Sequence, residues 1–255
     1  MYIKSIYDYL KISNINIEYY ETLPSTNSYL KERAKSEKEG LVVIANNQTS
    51  GRGRFDRKFY SPDNTGIYMS ILLKPAFNNF DATLITTAAA VAVARATEKL
   101  SGKVTKIKWV NDVLINDKKI CGILTEGSIN PQNSNPDYVV LGIGVNAFAP
   151  ENGFQNEIKS IAGYVFEEYN PDIKANFTAE IINQFFKYYQ AMPNRFFLDE
   201  YRQRSAVIGK EITVIKSDAK IPATALSIDD RCRLEVKYTD GTYEFLSSGE
   251  ISIKL

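Results

Sequence analysis

Residues 106–124 read KIKWVNDVLINDKKICGIL and hold three short β-like runs in close succession. The runs cover residues 106–110, residues 113–115 and a segment that begins at Ile120, and Asn116 and Asp117 lie between the last two. Aliphatic runs separated by a short polar turn are typical of neighbouring antiparallel strands. This stretch therefore predicts strands of one sheet, joined by tight connections.

Further β-like runs lie on both sides of this stretch, at residues 41–45, 66–74 and 138–145. Residues 81–100, DATLITTAAAVAVARATEKL, have the composition of a long and mostly buried helix that ends at Gly102. A shorter helix is predicted for residues 28–36, preceded by the capping residues Ser25, Thr26 and Asn27. Because a helix of this apolarity needs a second layer, we predict an α+β fold with helices on one face of a sheet.

The C-terminal part of the chain changes in character. Apolar residues recur at helical spacing over 178–189, and a second helix is predicted for 195–204, with Pro193 between them. From Gly209 onward, the runs 211–216, 223–227 and 234–238 are short and β-like, and Asp240 and Gly241 form a turn. These features predict a small β-barrel, and we place the boundary so that the domains cover residues 1–207 and 208–255.

The composition excludes much of enzyme chemistry. The 255 residues include no histidine, so the chain has neither a Ser-His-Asp triad nor a histidine general base. Its two cysteines cannot build a four-thiolate metal site. With 31 Lys and Arg against 30 Asp and Glu, the net charge is +1, so any anion site must be local. Lysine, arginine, amide and backbone groups remain, and they suit reactions of phosphates and carboxylates.

The N-terminal segment MYIKSIYDYLKIS carries the charges of Lys4, Asp8 and Lys11 and lacks the apolar stretch of a signal peptide. The longest apolar run, residues 88–94, is far shorter than the ~20 residues that span a bilayer. We therefore expect a cytoplasmic protein without a membrane partner.

The segment 51–59, GRGRFDRKF, concentrates four cationic side chains against one acidic one, Asp56. Its alternating glycines free the backbone to present N–H groups to an anion. The pattern favours a phosphate ligand, and a solvated basic loop is the structural alternative.

A second candidate is the segment KWVND at residues 108–112, followed by Lys119. On paired strands, Trp109 and Lys119 would line one concave face, where Lys119 supplies a charge for a carboxylate or phosphoryl oxygen. Asn111 suits a purine or a ribose. The alternative is a β-hairpin with a charged surface turn. Glycines within the strands, Gly122 and the pair at 142 and 144, indicate that a ligand or another backbone approaches closely.

Taken in order, these fragments form a specific set: Ser25-Thr26-Asn27, Gln48, Gly51-Arg52-Gly53-Arg54, Lys108-Trp109 with Asn111-Asp112, Lys119 with Gly122-Ile123-Leu124, Gly142 with Gly144 and Asn146, and Gly249-Glu250-Ile251-Ser252. The set resembles biotin–protein ligases from about Tyr19 to the C-terminus. The resemblance implies a central mixed β-sheet with helices on one face, as in class II synthetases, and an SH3-like β-barrel at the C-terminus.

The resemblance also implies a two-step reaction. Biotin and Mg-ATP would give biotinyl-5′-adenylate and pyrophosphate, and the biotinyl group would then pass to one lysine of a biotin carboxyl carrier protein or domain. ATP, Mg²⁺ and biotin are thus the expected cofactors and substrate. No DNA partner is expected, because bifunctional members need ~60 residues before the catalytic domain for a helix-turn-helix, and here the first motif begins at residue 25. The resemblance is compatible with a monomer or a homodimer.

Residue roles follow from the matching positions. Biotin would be bound by nine residues, of which the first four would hydrogen-bond the ureido ring: Ser25, Thr26, Asn27, Gln48, Arg52, Gly53, Arg54, Lys119 and Gly122. The nucleotide would be bound by a second set: Gly51, Arg52, Arg54, Phe59, Trp109, Asn111 and Asn146. Lys119 and Arg54 would be catalytic, and no protein residue is assigned to a metal.

Four positions depart from the pattern of the resembling family: Val110 replaces a proline, Asp56 replaces a glycine, and Phe59 and Lys254 bear on nucleotide binding. Phe59 stands where a tryptophan usually covers the adenine, so an aromatic face is kept with less area. Lys254 stands where arginine is frequent, which affects the role of the barrel in nucleotide binding.

Two other functions compete with this interpretation. A lipoate or octanoyl ligase or transferase would share the fold, but the chain lacks the R-R-x-x-G-G-G type of segment typical of that group. A nucleic-acid-binding or adaptor protein would use the basic loop and the barrel, and the net charge of +1 disfavours it.

Overall fold

The computed structural model describes residues 2–75, 82–129, 136–155, 157–216 and 219–253. Seven strands form a central sheet: β1 (Asn16–Leu23), β2 (Leu41–Gln48), β3 (Gly66–Leu73), β4 (Lys106–Lys108), β5 (Asp112–Ile115), β6 (Lys118–Ile129) and β7 (Pro136–Asn146). Their order is β1-β2-β3-β7-β6-β5-β4, with β1 parallel to β2 and the other neighbours antiparallel. The predicted mixed sheet is confirmed.

The helices are α1 (Tyr2–Tyr9), α2 (Thr26–Arg33), α3 (Ala82–Ser101), α4 (Pro171–Gln190) and α5 (Leu198–Gln203), with a 3₁₀ turn at Met192–Asn194. Helix α3 is the predicted alanine-rich helix. It ends at Gly102, whose φ of 68° lies in the left-handed region and whose N–H reaches Glu98 O at 2.9 Å. The start of the predicted helix, Asp81, lies outside the described residues, as do residues 130–135 of the polar loop before β7 and Lys254.

The two faces of the sheet carry different side chains because successive residues of a strand point to opposite sides. On β3, Ile67, Met69 and Ile71 join the core formed with α3 and α4. The alternate positions of the same strand, Ser70 and Leu72, face the other way. The long helices therefore cover one face, and most of the opposite face remains available for a site.

The structure adds two features that the sequence analysis did not predict. Helix α2 packs on the face opposite α3, where Leu30 and Ala34 contact an apolar cluster that includes Val43 of β2 and Val140 of β7. Strand β1 and helix α1 also form. Half of the residues of Asn16–Leu23 are polar or charged, so the segment has no continuous apolar run. Its strand conformation is supported by parallel pairing with β2 along one edge.

The C-terminal strands form a separate antiparallel sheet: β8 (Glu211–Lys216), β9 (Ala219–Ile228), β10 (Leu234–Tyr238), β11 (Tyr243–Leu246) and β12 (Glu250–Ile253), in the order β11-β10-β9-β8-β12. This agrees with the small C-terminal β-unit expected from the sequence. It contacts the rest of the molecule at Cys232, whose carbonyl accepts a 2.9 Å hydrogen bond from Nε1 of Trp109, between β4 and β5. The Cys232 Sγ lies 3.2 Å from Oγ1 of Thr87 on α3.

None of the helices within the described ranges combines the length and the apolarity that crossing a bilayer requires.

Lys174 is a buried cation on α4, with 2% of its surface exposed. Its Nζ donates a 2.9 Å hydrogen bond to Asn46 Oδ1 and lies 5.5 Å and 5.9 Å from the ring centres of Tyr2 and Tyr169. An amide and two aromatic faces replace the water that an ammonium group normally binds. Burial of this charge should therefore cost stability.

We predict that Lys174→Met raises the free energy of unfolding at pH 7. Burial lowers the pKa of Lys174 from 10.5 to about 8, although the charges of Glu21 and Asp63 act in the opposite direction. A shift of this size costs about 3 kcal/mol, and loss of the amide hydrogen bond offsets part of the gain, so we expect a net increase of about 1 to 3 kcal/mol.

Between pH 8 and 10.5 the native state binds fewer protons at Lys174 than the unfolded chain, so this cost decreases as the pH rises. Urea unfolding at pH 7 and at pH 9.5 should thus show a smaller difference between variant and parent at the higher pH. Lys187→Met, on an exposed position of the same helix, is the control. A difference that does not change with pH would contradict the assignment.

Candidate active site

A cleft of about 280 Å³ opens on the sheet face opposite α3. All but one of the residues proposed from the sequence line it: Ser25, Thr26, Asn27, Gln48, Arg52, Gly53, Arg54, Phe59, Trp109, Asn111, Lys119, Gly122 and Asn146. The exception is Gly51, which does not line the cleft. A Cβ on Gly51 would lie 2.4 Å from Phe59 O, so this glycine permits the close packing that shapes the neighbouring loop.

The first wall of the cleft is the start of α2. Ser25 is its N-cap, and the Ser25 Oγ accepts a 3.4 Å hydrogen bond from Ser28 N. The next residue, Thr26, donates its backbone N–H to Gln48 Oε1 at 2.9 Å, and its hydroxyl lies 3.2 Å from the same oxygen. Gln48 Nε2 in turn donates to Ser61 Oγ at 3.1 Å. The result is a neutral polar pocket whose side-chain orientations are fixed by each other.

Asn27 sits below this pocket and is 4% exposed. Its Oδ1 lies 2.6 Å from the hydroxyl oxygen of Ser70 on β3, which also lies 2.8 Å from Thr26 Oγ1. Ser70 is fully buried. Ser70 is not predicted from the sequence as a site residue, because a lone serine in an apolar strand gives no signal of a role.

The second wall is the basic loop at residues 51–59. It is closed by hydrogen bonds from Gly53 N to Arg57 O at 2.7 Å and from Phe59 N to Gly51 O at 2.9 Å. At its tip, Phe55 is 61% exposed and has a φ of 53°. These hydrogen bonds close the loop on itself, and most of its residues line the cleft.

Arg54 connects this loop to two other parts of the molecule. Its NH1 donates to Asn111 Oδ1 at 3.0 Å, and its NH2 donates to the backbone oxygen of Gly249 at 2.8 Å. Asn111 also donates from Nδ2 to Ile123 O at 2.9 Å. One guanidinium thus joins the loop, the KWVND segment and the start of β12.

Lys119 faces the cleft in an ion pair with Asp112, at 2.6 Å from Nζ to Oδ1. The carboxylate oxygen is buried, and the angle of the contact is not that of a hydrogen bond, so attraction of opposite charges holds the pair. The backbone of Lys119 is fixed by the neighbouring segment, with Lys119 N bonded to Ile161 O at 2.7 Å. Asp112 belongs to the KWVND motif, but the sequence predicts no role for it.

Trp109 and Asn146 occupy the positions proposed for nucleotide contact. Trp109 is 3% exposed, and its indole N–H is already used by Cys232 O. Asn146 donates from Nδ2 to Gly163 O at 3.0 Å. Both residues line the cleft, while their N–H donors hold the surrounding structure together.

The strand glycines make room for the side chains of the site itself. A Cβ on Gly142 would lie 2.1 Å from Asn27 Oδ1, and a Cβ on Gly144 would lie 2.7 Å from Phe59 Cε1. A Cβ on Gly122 would meet Lys119 Nζ at 3.1 Å. The sequence analysis expected a ligand or backbone to approach these glycines, and the structure places Asn27, Phe59 and Lys119 there.

Residues 19–146 match the family described as the Biotin/lipoate A/B protein ligase family, and residues 207–254 match the Biotin protein ligase C terminal domain. The chain belongs to the biotin/lipoate A/B protein ligase family.

Two relatives of the chain differ in how much of their length aligns with it. Over 145 residues the chain is 40% identical to the bifunctional ligase/repressor BirA of Bacillus subtilis. This alignment covers 56% of this chain and 44% of that protein. Over 218 residues it is 30% identical to the biotin–[acetyl-CoA-carboxylase] ligase of Mycobacterium tuberculosis. This alignment covers 82% of this chain and 79% of that protein. The aligned region is thus less than half the length of BirA.

The fold agrees with a solved structure as well. The biotin protein ligase from Aquifex aeolicus in complex with biotin and ATP aligns with a TM-score of 0.74, at 24% identity, over 94% of this chain and 98% of that chain. This confirms the predicted α+β architecture with its small C-terminal β-unit.

Part of the ligase-family cleft gave no signal in the sequence. Ile158, Ile161 and Ala162 line it from a segment without regular secondary structure, where isolated apolar residues lack periodicity. Cys121 is a fully buried core residue of β6, and burial raises the pKa of its thiol. No group of three or more acidic or cysteine side chains within the described ranges is placed to hold a metal ion.

We predict that Gly142→Ala destabilises the protein more than Gly144→Ala does. Both lie on the same face of β7, two residues apart. At position 142 the new methyl group would collide with Asn27 Oδ1, which the Ser70 hydroxyl holds in place, whereas at position 144 it would meet the ring of Phe59, a side chain at the loop that can turn away.

Overpacking of this kind costs about 1 to 3 kcal/mol, and we expect the Gly142 variant to lie in that range. Urea unfolding of the two variants measures the difference. Equal destabilisation, or a larger effect at position 144, would show that the Asn27 amide is not fixed as described.

Proposed function

We propose that this chain ligates biotin to a lysine of a biotin carboxyl carrier protein or domain, using ATP and passing through biotinyl-5′-AMP. One observation carries the proposal: the same sheet face holds a neutral polar pocket over Gly142 and the cationic Lys119 over Gly122, which pairs with Gly144 on the neighbouring strand. Positions 142 and 144 are two residues apart on one strand, a rise of ~7 Å. Such a cleft suits a ligand with a neutral ring at one end and a carboxylate at the other.

The neutral end fits the ureido ring, which has two N–H donors and one carbonyl acceptor. Ser25, Thr26, Asn27 and Gln48 offer hydroxyl and amide groups that match it without charge. The apolar acyl chain would run along the strand glycines Gly122, Gly142 and Gly144, all of which line the cleft. Relatives named as biotin ligases, and a relative solved with biotin and ATP, support this choice of ligand.

The cationic end suits the first chemical step. One oxygen of the biotin carboxylate attacks the α-phosphorus of ATP, an O–P bond forms, and pyrophosphate leaves with the electrons of the broken bond. Lys119 and Arg54 face this position and would stabilise the negative charge that develops there. Asp112 holds the Lys119 ammonium group in place through their 2.6 Å contact. The side chain of Arg52 and the backbone of Gly53 would meet the carboxylate.

The nucleotide would lie beside this position. Phe59 offers an aromatic face for the adenine, and Trp109, Asn111 and Asn146 line the same part of the cleft. Gly51 would contribute by shaping the loop. Magnesium would neutralise phosphate charge when it is bound. Because Mg²⁺ is commonly held by one or two carboxylates together with phosphates and water, Asp112 is the cleft residue that fits it.

In the second step the lysine amine of the carrier attacks the acyl carbonyl, an amide bond forms, and AMP leaves. This scheme forms no covalent bond to the enzyme, which agrees with a chain without histidine. We propose residues 1–207 as the catalytic domain and 208–255 as the C-terminal domain, with Gly249 and Ile251 of the latter lining the cleft. We place the reaction in the cytoplasm, where ATP is abundant, and propose that the active form is a monomer or a homodimer.

ATP–pyrophosphate exchange tests the first step directly. We predict exchange that requires biotin and is absent with lipoate or without an added acid. Lys119→Ala should reduce the rate at least about 100-fold, because it removes a charge that acts where negative charge develops. Lys106→Ala, which removes an exposed cation of the same sheet outside the cleft, is the matched control and should keep the rate within about threefold.

Exchange that requires lipoate instead would move the protein to the lipoate branch of its family. Exchange with neither acid would contradict the proposed reaction.

A further inference from the structure

Glu126 is an acidic side chain on the site face of β6, next to the cleft but not among the residues that line it. It collects donors from three separate parts of the chain. Its Oε1 lies 2.9 Å from Lys31 Nζ and 3.1 Å from Arg52 NH1, and its Oε2 lies 3.0 Å from both Arg52 NH1 and Asn27 Nδ2. The carboxylate is only 17% exposed, so these contacts are partly shielded from water.

The Glu126 carboxylate stays ionised in this environment. Partial burial by itself would raise its pKa, but the hydrogen bonds from Lys31 and Asn27 and the charge of Arg52 outweigh that effect, and the pKa lies below its usual value. A hydrogen bond to a charged group is stronger than one between neutral groups. The contacts to Arg52 and Asn27 are therefore of the stronger kind.

The amide of Asn27 has little freedom once these contacts are made. Its Nδ2 donates to Glu126 and, at 3.3 Å, to Leu124 O, so both of its N–H groups are used. Its Oδ1 lies 2.6 Å from Ser70 Oγ, and the absence of a Cβ on Gly142 leaves the space that this oxygen fills. Asn27 thus offers a ligand at most the second lone pair of Oδ1, and its orientation depends on Glu126.

We propose that Glu126 is a positioning residue that anchors the basic loop to the ring pocket, by holding Arg52 and Asn27 with one carboxylate. This deepens the proposed function and rests on it for the identity of the ligand. The physical claim is independent of any ligand: in the free protein, the loop is held closed in part by the Arg52–Glu126 ion pair. When the ring pocket is occupied, the same carboxylate holds the loop in a fixed position relative to the pocket.

Trypsin provides a direct test on the ligand-free, full-length chain. It cleaves after arginine and lysine, and the loop contains Arg52, Arg54, Arg57 and Lys58. Cleavage within the loop requires it to open, so its rate reports the open population. With Glu126→Gln we expect cleavage after Arg54, Arg57 and Lys58 to become about tenfold faster, because a charge-assisted contact is lost.

Lys31→Met is the matched control, because it removes a different partner of the same carboxylate. Lys31 lies on α2, does not touch the loop, and should leave loop cleavage unchanged. Cleavage after Arg231, an exposed turn residue of the C-terminal unit, is the internal reference for general unfolding in every variant. Equal loop cleavage in the parent, the Glu126 variant and the Lys31 variant would overturn the proposal.

Should the Glu126 variant fail to fold, Arg52→Gln breaks the same ion pair from the loop side, at a side chain that is 39% exposed. We expect the same acceleration after Arg54, and in the double variant no further increase, since the pair is already broken. The anchoring role would be contradicted if cleavage were faster in the double variant than in either single variant, or if Arg52→Gln did not accelerate cleavage at all.

The biotin-dependent exchange assay separates this inference from the proposed function. For Glu126→Gln we expect a KM for biotin raised about tenfold with kcat changed less than about threefold, since Glu126 positions the binding groups without touching the reacting atoms. Loop anchoring without any biotin-dependent exchange would leave Glu126 as an anchor and remove the proposed function. Biotin-dependent exchange with an unchanged KM for biotin in the Glu126→Gln variant would refute the positioning role of Glu126 and leave the proposed function intact.

Discussion

The alternation of side chains along β3, β6 and β7 is the constraint on which the rest of the molecule depends. Every second residue must fill the core under α3, and the intervening residues must build the floor of the cleft. A shift of register by one residue would exchange the two sets completely. On the floor side, glycine at positions 142 and 144 sets the depth of the cleft, and Ser70 fixes the polar groups that rise above it. The position of the cleft follows from the strand pattern, and its chemistry follows from what the loops place over the glycines.

Much of this fold is predictable from the sequence, because its central parts have strong local patterns. The alanine-rich helix and the strands around the turn at Asn116 carry enough apolar residues to identify them. Strand β1 does not, since half of its residues are polar or charged and its strand conformation depends on pairing with β2. Helix α2 is predictable as a helix, but its place on the opposite face is not, because that depends on contacts with β2 and β7.

The functional residues divide in the same way. Motifs with unusual composition, such as the basic loop and the lysine at position 119, are visible in one dimension, and the structure brings them together in one cleft. Ser70 and Glu126 are invisible there, since a serine or a glutamate within a strand is ordinary in composition. Their roles come from partners far away in the chain: Glu126 and Asn27 are separated by 99 residues. Contacts over such distances are set by the assembled sheet, and no local pattern encodes them.

The hydrogen bond from Arg54 to the backbone oxygen of Gly249 has a consequence for cooperativity. Together with the bond from Trp109 to Cys232, it makes two residues of the cleft depend on acceptors supplied by the C-terminal sheet. If that sheet opens locally, the indole N–H and the guanidinium lose these partners at the same moment. The stability of the cleft against fluctuation is therefore limited by the stability of a unit that contributes few of its side chains. Substitutions in the core of the small sheet, far from the ligand, would act on the cleft through this dependence.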